Sequence, residues 1–600
     1  MTKEELIEHL KGYEWDDIEF KRAQRGLPED AYSTVSAFAN TGGGWLVFGI
    51  KQSGNQLEVA GVEDVDKVQN DFLSSLRTVG KLSRAIDARG ELHNLDGKTV
   101  LVFHIPELPR TEKPVYLKGD IRQSYIRRGG GDERCTPREI ERFLRDAADQ
   151  PFDGKVLPDL DPESFYDEPT LAWYRRRFDE REPGRHETLN DRDFLLEWGF
   201  VVEVEGKKAV TRAGALLFGK GRHVRQCLPR PVVDLQIILE KYDEWNPERR
   251  WADRVVVEDN IIQAWLTIVE RYMKIAERPF EIDATTLRRH DEPPDYISFR
   301  EAAINLLIHQ DYGDTGRHAQ IQIFRDRSRF WNPGDAFVSF DQLLDPGAKE
   351  VRNPSIVAAF RRIGLSDQAG TGIRAIFRNW RQLGNVPPQM LNKRDEKAFE
   401  LTLLKEPLLS ANQKRFQTEL GVHLSDREAE VFAFACLRER LTLNDARAVA
   451  ASSASEAAEI LDHLVLQRLL EPLEKGKVYT LASHLRQRYL ATLAAEEAET
   501  KRNEARVEAP EGPSWDQVGT KLGLSSEQVQ ILAHLGADRG ITELMRIIGR
   551  KNRTKFRDQV LDPLMGLDLV EMTIPDKPRS SKQKYRLTDK GKRVVEGVGE

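Results

Sequence analysis

Cysteine is scarce in this chain. The three present among 600 residues, Cys135, Cys227 and Cys436, are too scattered for a disulfide framework or a thiolate metal cluster. That pattern suits a reducing compartment, and a cytoplasmic location is expected. Long apolar runs are also lacking, and no stretch approaches the roughly 18 residues a bilayer-crossing helix needs. The opening Met-Thr-Lys-Glu-Glu-Leu-Ile-Glu-His-Leu has no apolar centre of the signal-peptide kind and reads as a charged amphipathic helix. A basic excess is missing as well. Lys and Arg number 91 against 98 Asp and Glu, a net charge of −7, so any affinity for nucleic acid must come from local patches. With 40% hydrophobic and 32% charged residues the composition is that of an ordinary globular protein, long enough for about three to five domains.

Against that background, residues 297–312 stand out: Ile-Ser-Phe-Arg-Glu-Ala-Ala-Ile-Asn-Leu-Leu-Ile-His-Gln-Asp-Tyr. A spacing of four places Glu301 and Asn305 on one helix face, with His309 a further turn along. Ala302, Ala303, Ile304, Leu306 and Leu307 supply the apolar face. A carboxylate beside a side-chain amide can hold a hydrated magnesium ion and orient a water. An alternating strand, residues 319–324, follows, then Trp331-Asn332-Pro333-Gly334, then Gly370-Thr371-Gly372 leading into a helix. Glycine at a helix start lets backbone N–H groups approach a phosphate. By contrast Gly214 to Gly221 misses the P-loop pattern by one residue, and its apolar middle reads as core.

The order of helix, strand, Asn-Pro-Gly turn and Gly-Thr-Gly loop resembles the divergent GHKL-type ATPase domain of "RecG-like" transcription regulators. The resemblance implies ATP and Mg²⁺ as cofactors, Glu301 as general base and Asn305 as magnesium ligand. It places Asn332 and Gly334 at the first nucleotide loop and Gly370, Thr371 and Gly372 at the phosphate loop. One departure is that Asn332 stands where the superfamily reads adenine with an aspartate, although Asp335 is near.

In the N-terminal region, Glu-Trp-Asp-Asp-Ile-Glu-Phe-Lys at 14–21 precedes a helix expected over 31–40. A Thr-Gly-Gly-Gly turn, the apolar strand Trp45–Ile50 and Tyr-Ile-Arg-Arg-Gly at 125–129 follow. This series is similar to the Schlafen AlbA-type nucleic-acid-binding domain. Lys21, Arg127 and Arg128 are the candidate phosphate contacts. In Schlafen nucleases two glutamates and an aspartate bind a metal; Glu14 and Glu19 match the glutamates, as catalytic and metal-binding candidates. The aspartate is replaced, because Lys51-Gln52-Ser53 follows Gly49-Ile50. Lys51 puts a cation where an anion is needed.

Beyond residue 408 the pattern turns helical, and two winged helices are expected. In the second, residues 541–593 hold 14 Lys or Arg against 7 Asp or Glu. Arg550, Lys551, Arg553, Lys555 and Arg557 would begin its recognition helix, with Lys582 and Lys584 in its wing.

The fold class expected is multidomain α+β: a Schlafen AlbA-type domain over 1–150 and a connecting α+β segment over 151–290. A GHKL-like α/β sandwich over 291–407 comes next, then a winged helix over 415–483. A helical linker over 484–520 leads to a second winged helix over 521–600. The function implied is an ATP-binding regulator in which the GHKL-like domain controls nucleic-acid binding, DNA being favoured with RNA or tRNA open. A homo-oligomer, dimer or larger, and no membrane partner are expected. The alternative is a Schlafen-like metal-dependent nuclease effector gated by ATP, in phage defence; the replaced aspartate counts against nuclease activity, and ATP hydrolysis is left open.

Overall fold

A computed structural model describes residues 6, 17–53, 56–78, 80–184, 188–248, 251–276, 293–345, 347, 349–366, 371–438, 440–473, 478–491, 524–535, 538–550, 552–576 and 583–595. Glu14, Gly370, Lys551 and Lys582 lie outside the described residues, as does the side chain of Thr371. The chain divides into two compact units, residues 1–489 and 490–600.

The first unit begins with β1 (Ile18–Lys21), α1 (Ala31–Asn40) and β2 (Gly44–Phe48). α2 (Val65–Arg77), β3 (Arg89–Leu95) and β4 (Lys98–Ile105) follow. The strands form a sheet in the order β1-β2-β4-β3, with β1 and β2 parallel. One face packs α1 and α2 through Phe38, Phe48, Phe72 and Phe103, all fully buried. Each such side chain contributes roughly 1.5–3 kcal/mol by leaving water. Asn40 ties the end of α1 to the body, donating to Val115 O at 2.9 Å and Tyr125 O at 2.9 Å. A hairpin, β5 (Tyr125–Arg128) and β6 (Gly131–Arg134), then leads to α3 (Pro137–Ala147). α3 opens with proline and a capping box in which Thr136 and Glu139 bond reciprocally.

The middle of the unit is a six-stranded mixed sheet. Its strands are β7 (Val233–Ile237), β8 (Asp253–Val257), β9 (Ala319–Ile323), β10 (Arg327–Pro333), β11 (Gln389–Lys393) and β12 (Ala398–Leu404). Their order is β8-β7-β9-β10-β12-β11, and β7 and β9 are the parallel pair. Two of the six strands therefore come from the 151–290 stretch read as a connector. α4 (Ile261–Ile275), α5 (Tyr296–His309), α6 (Pro354–Arg362) and α7 (Thr371–Gln382) join this sheet in one core. Residues 213–218, the middle of the near-P-loop, are all buried there.

α3 is bound to this sheet domain by charge. Arg138 and Arg142 reach Asp314 at 3.1 and 2.7 Å, Arg145 reaches Asp311, and Asp146 meets Arg352 at 2.6 Å. On the other side α7 meets a small helical subdomain of α8 (Asp426–Leu437), α9 (Leu443–Ala450) and α10 (Ala454–Leu466). That subdomain carries a three-stranded sheet of 441–442, 478–481 and 470–473. Phe377 of α7 packs with Ala448, and Arg381 pairs with Glu430 at 2.7 Å.

The second unit has its own core. α11 (Ser526–His534), α12 (Ile541–Ile547) and the helical run 553–566 surround Leu544, Phe556, Val560 and Leu564. A three-stranded sheet of 539–540, 584–587 and 570–572 completes it.

Candidate nucleotide site and nucleic-acid surfaces

α5 is held firmly at both ends. Near its start, the Tyr272 ring stacks on Phe299 at 3.8 Å, and Asp295 accepts from the Tyr272 hydroxyl and from Lys405 at 3.1 Å. At its end, Asn353 donates to the carbonyls of Ile308 and Gln310 at 3.0 and 2.9 Å, satisfying acceptors that the helix itself leaves open. Ala303 and Leu307 are fully buried in the core, while Glu301 and Asn305, with Ala302 and Leu306, line a cavity of about 320 Å³.

Asn305 and Glu301 meet Gly372 across that cavity. A methyl group on Gly372 would lie 3.2 Å from Glu301 Oε2, 3.5 Å from Asn305 Nδ2 and 3.6 Å from Asn305 Oδ1. The first turn of α7 thus presents its N-terminus to a carboxylate and an amide, and a larger residue at 372 would crowd both. The Asn305 Nδ2 is buried without a hydrogen-bond partner. Nitrogen and oxygen of a side-chain amide are interchangeable in such an assignment, so one end of the amide awaits a ligand atom. This donor set fits a metal-bound phosphate. Glu301 Oε1 also accepts from Arg300 at 2.8 Å.

The cavity is also walled by the apolar side chains of Phe330, Val357, Phe399 and Leu401. Asn332 lines it as well, 5% exposed and donating to Pro333 O at 3.2 Å. Gly334 has φ +102°, and a Cβ there would come within 3.0 Å of Asp311 N and 3.1 Å of Arg352 Nε, so the turn requires glycine. Burial alone would raise Asp335, but Lys397 at 3.0 Å and Arg352 at 3.3 Å outweigh it and hold the carboxyl below its ordinary range. Burial, with Arg352 adding, pushes His309 down to about 4, so a neutral imidazole lines the cavity at pH 7.

The expected N-terminal phosphate contacts are arranged differently from the sequence reading. Lys21 is spent on Glu19 at 2.7 Å and Asp30 at 2.8 Å. Arg127 is only 3% exposed, bridging Glu19 and Asp132 at 2.9 Å each and donating to Ile18 O. These two cations neutralise Glu19 inside the fold and do not face solvent. Arg128 is 42% exposed, paired with Glu133 and Glu139. In the second unit Arg553, Lys555 and Lys584 are exposed and Arg557 half-buried. Arg550 is engaged by Glu527 at 2.7 Å.

Four family models match. "Schlafen, AlbA_2" covers residues 14–136, and "Putative ATP-dependent DNA helicase recG C-terminal" covers 316–403. A domain of unknown function covers 141–234, and the C-terminal domain of Fic-like proteins (filamentation induced by cAMP) covers 527–588. The N-terminal domain of a RecG-related protein from Nitrosomonas europaea is 32% identical. That match covers 92% of the solved chain and 22% of this one, at a TM-score of 0.18. By these matches residues 14–136 are Schlafen AlbA-type and residues 316–403 are RecG-like. A crystal structure from Corynebacterium diphtheriae aligns over 96% of the chain and 95% of its own length, at 18% identity and TM-score 0.37. A Fic family protein from Desulfovibrio desulfuricans aligns over 40% of the chain and 69% of its own, at 18% identity and TM-score 0.11. No curated protein matches.

The sequence reading missed Arg352, which lines the cavity, and Lys397, which pairs with Asp335 of its wall. Both are lone cations whose partners lie far away in sequence, so no local pattern marks them.

Proposed function

We propose that the protein binds ATP with Mg²⁺ in the cavity beside α5, and that nucleotide occupancy controls nucleic-acid binding by the flanking domains. The observation that carries this reading is the convergence of Glu301, Gly372 and the unpartnered Asn305 amide on one cavity. Its volume of about 320 Å³ falls within the roughly 300–1,000 Å³ of small-molecule sites. Asn305 would hold the metal, Glu301 would receive the proton of an attacking water, and Gly372 would approach the phosphates. The apolar side chains that line the cavity with Asn332 suit a purine. The RecG-like family supports a nucleotide role for this domain, and the Schlafen AlbA-type domain supports nucleic acid as the partner.

The small C-terminal domains serve as winged helices in this reading. The exposed Arg553, Lys555 and Lys584 of the second contact a DNA backbone. Glu19, already facing Lys21 and Arg127, is a poor metal ligand, which argues against the nuclease alternative. The protein acts in the cytoplasm as a homo-oligomer. Calorimetric titration of ATP with Mg²⁺ tests the core of the proposal. Asn305→Ala should lower affinity at least tenfold with an unchanged melting temperature, and retained affinity refutes the assignment.

A further inference from the structure

A second cavity lies where the Schlafen-type domain meets the sheet domain, separated from the first by a shared wall at Asp335, Ala336 and Phe337. Its volume is about 760 Å³. The Schlafen side contributes Gly42, Glu107, Arg110 and Lys113, and α3 adds Asp146. The sheet domain contributes Arg394 and Lys397. None of these four cations belongs to the nucleotide site or to the expected nucleic-acid contacts.

Counting partners shows which sign of charge the cavity lacks. Arg110 is taken by Glu350 at 2.5 Å and Lys397 by Asp335 at 3.0 Å. Asp146 is taken by Arg352 at 2.6 Å. Lys113 and Arg394 are left to share one carboxylate: Glu107 meets Lys113 at 2.6 Å and also pairs with Arg394. Lys113 is 8% exposed, so water does little to relieve this deficit. Burial, and then the neighbouring Lys397, push the Lys113 ammonium down to about 7. The Thr-Gly-Gly-Gly turn leaves the approach open, since a Cβ at Gly42 would meet nothing within 4 Å.

We propose that this interdomain cavity is a binding site for a phosphate-bearing ligand, gripped by Lys113 and Arg394 with Arg110 and Lys397 beside them. Phosphate supplies the missing negative charge and enough acceptors for an ammonium and a guanidinium together. The phosphate belongs to a nucleic-acid strand or to a free phosphorylated metabolite. Because the lining comes from both domains, binding stabilises their contact. Anion binding near pH 8 also takes up a proton, as Lys113 becomes fully charged.

The test is titration of inorganic pyrophosphate into the full chain, without nucleotide. Wild type should bind, Lys113→Met should bind at least tenfold more weakly, and Asn305→Ala should bind as wild type. Glu107→Gln removes the competing carboxylate and should tighten binding several-fold, a gain that misfolding cannot mimic. Absence of pyrophosphate binding in both wild type and Glu107→Gln overturns the proposal. So does binding that Asn305→Ala abolishes and Lys113→Met leaves intact, which places the anion in the nucleotide cavity. A single-stranded 12-mer oligonucleotide that displaces pyrophosphate from Glu107→Gln assigns the phosphate to a strand; failure to displace it assigns a free metabolite.

Discussion

Replacing Arg352 by methionine tests whether one guanidinium joins the proposed nucleotide cavity to α3. Its side chain is 7% exposed and lies between Asp146, 11% exposed, at 2.6 Å and Asp335, 8% exposed, at 3.3 Å. It also covers the Phe337 ring at 4.4 Å. Burial disfavours its charge, yet these carboxylates raise its proton affinity above the ordinary value. Removing one partner of a buried pair costs about 3–5 kcal/mol, because the remaining charge is left unsolvated. Here Asp335 keeps Lys397 at 3.0 Å, so the loss centres on Asp146 and should fall near the lower end, about 3 kcal/mol. In Arg352→Met with Asp146→Asn no stranded charge remains, and the loss should shrink to about 1–2 kcal/mol, a coupling within the range for touching residues. Urea unfolding followed by tryptophan emission reports this unit, since nine of the ten tryptophans precede residue 490. A single-variant loss below about 1 kcal/mol, or strict additivity in the double variant, refutes the argument.

Asp153 accepts from the N–H groups of Ser355 and Ile356 at 2.8 and 3.1 Å, capping α6 from a distant loop, yet burial pushes its carboxyl up from 3.8 to about 6. The folded state therefore holds this proton more tightly than the unfolded chain. Stability is lost as pH rises from about 4 to 6, by roughly 3 kcal/mol. Asp153→Asn keeps an acceptor for the cap and should show a flatter melting temperature across pH 4 to 7; a slope identical to wild type excludes Asp153 as its source. In the second unit, Arg553→Gln with Lys555→Gln should reduce the slope of log affinity against log salt for duplex DNA by about 2, and an unchanged slope removes both from the interface. Amide exchange over residues 426–466 should slow on adding ATP and Mg²⁺ to wild type but not to Asn305→Ala; equal exchange with and without nucleotide in wild type excludes α7 as the link.

Glu301 and Asn305 were legible because a helix repeats every 3.6 residues, so the spacing alone assigns them a common face. Gly334 was placed only by the resemblance, and its φ of +102° now gives the reason for glycine there. What escaped the sequence depends on long-range pairing. β7 and β8 enter the central sheet from a stretch without motifs, and only their register, Val233 opposite Ala319, reveals it. The charges of Lys21 and Arg127 were visible, but not that Glu19 draws both inward. Asp153 caps a helix 202 residues away, a bond no local window contains.

Two physical routes leave the proposed nucleotide cavity, and they reach different elements. One is α7, whose Gly372 meets the Glu301–Asn305 pair and whose Arg381, nine residues after Gly372 and about 13 Å along the axis, meets Glu430. A helix of that length moves as a rod, so displacing its first turn shifts Phe377 and Arg381 against the helical subdomain. The other is the chain Asp335, Arg352, Asp146, in which each link is a buried ion pair, ending on α3, the helix that follows the Schlafen-matched residues 14–136. Ion pairs of this kind either hold or break, because partial separation leaves charge without solvent. A ligand that touches both Gly372 and the Gly334 turn therefore acts on both routes at once. That common origin is the structural basis for expecting the flanking domains to respond together to one nucleotide.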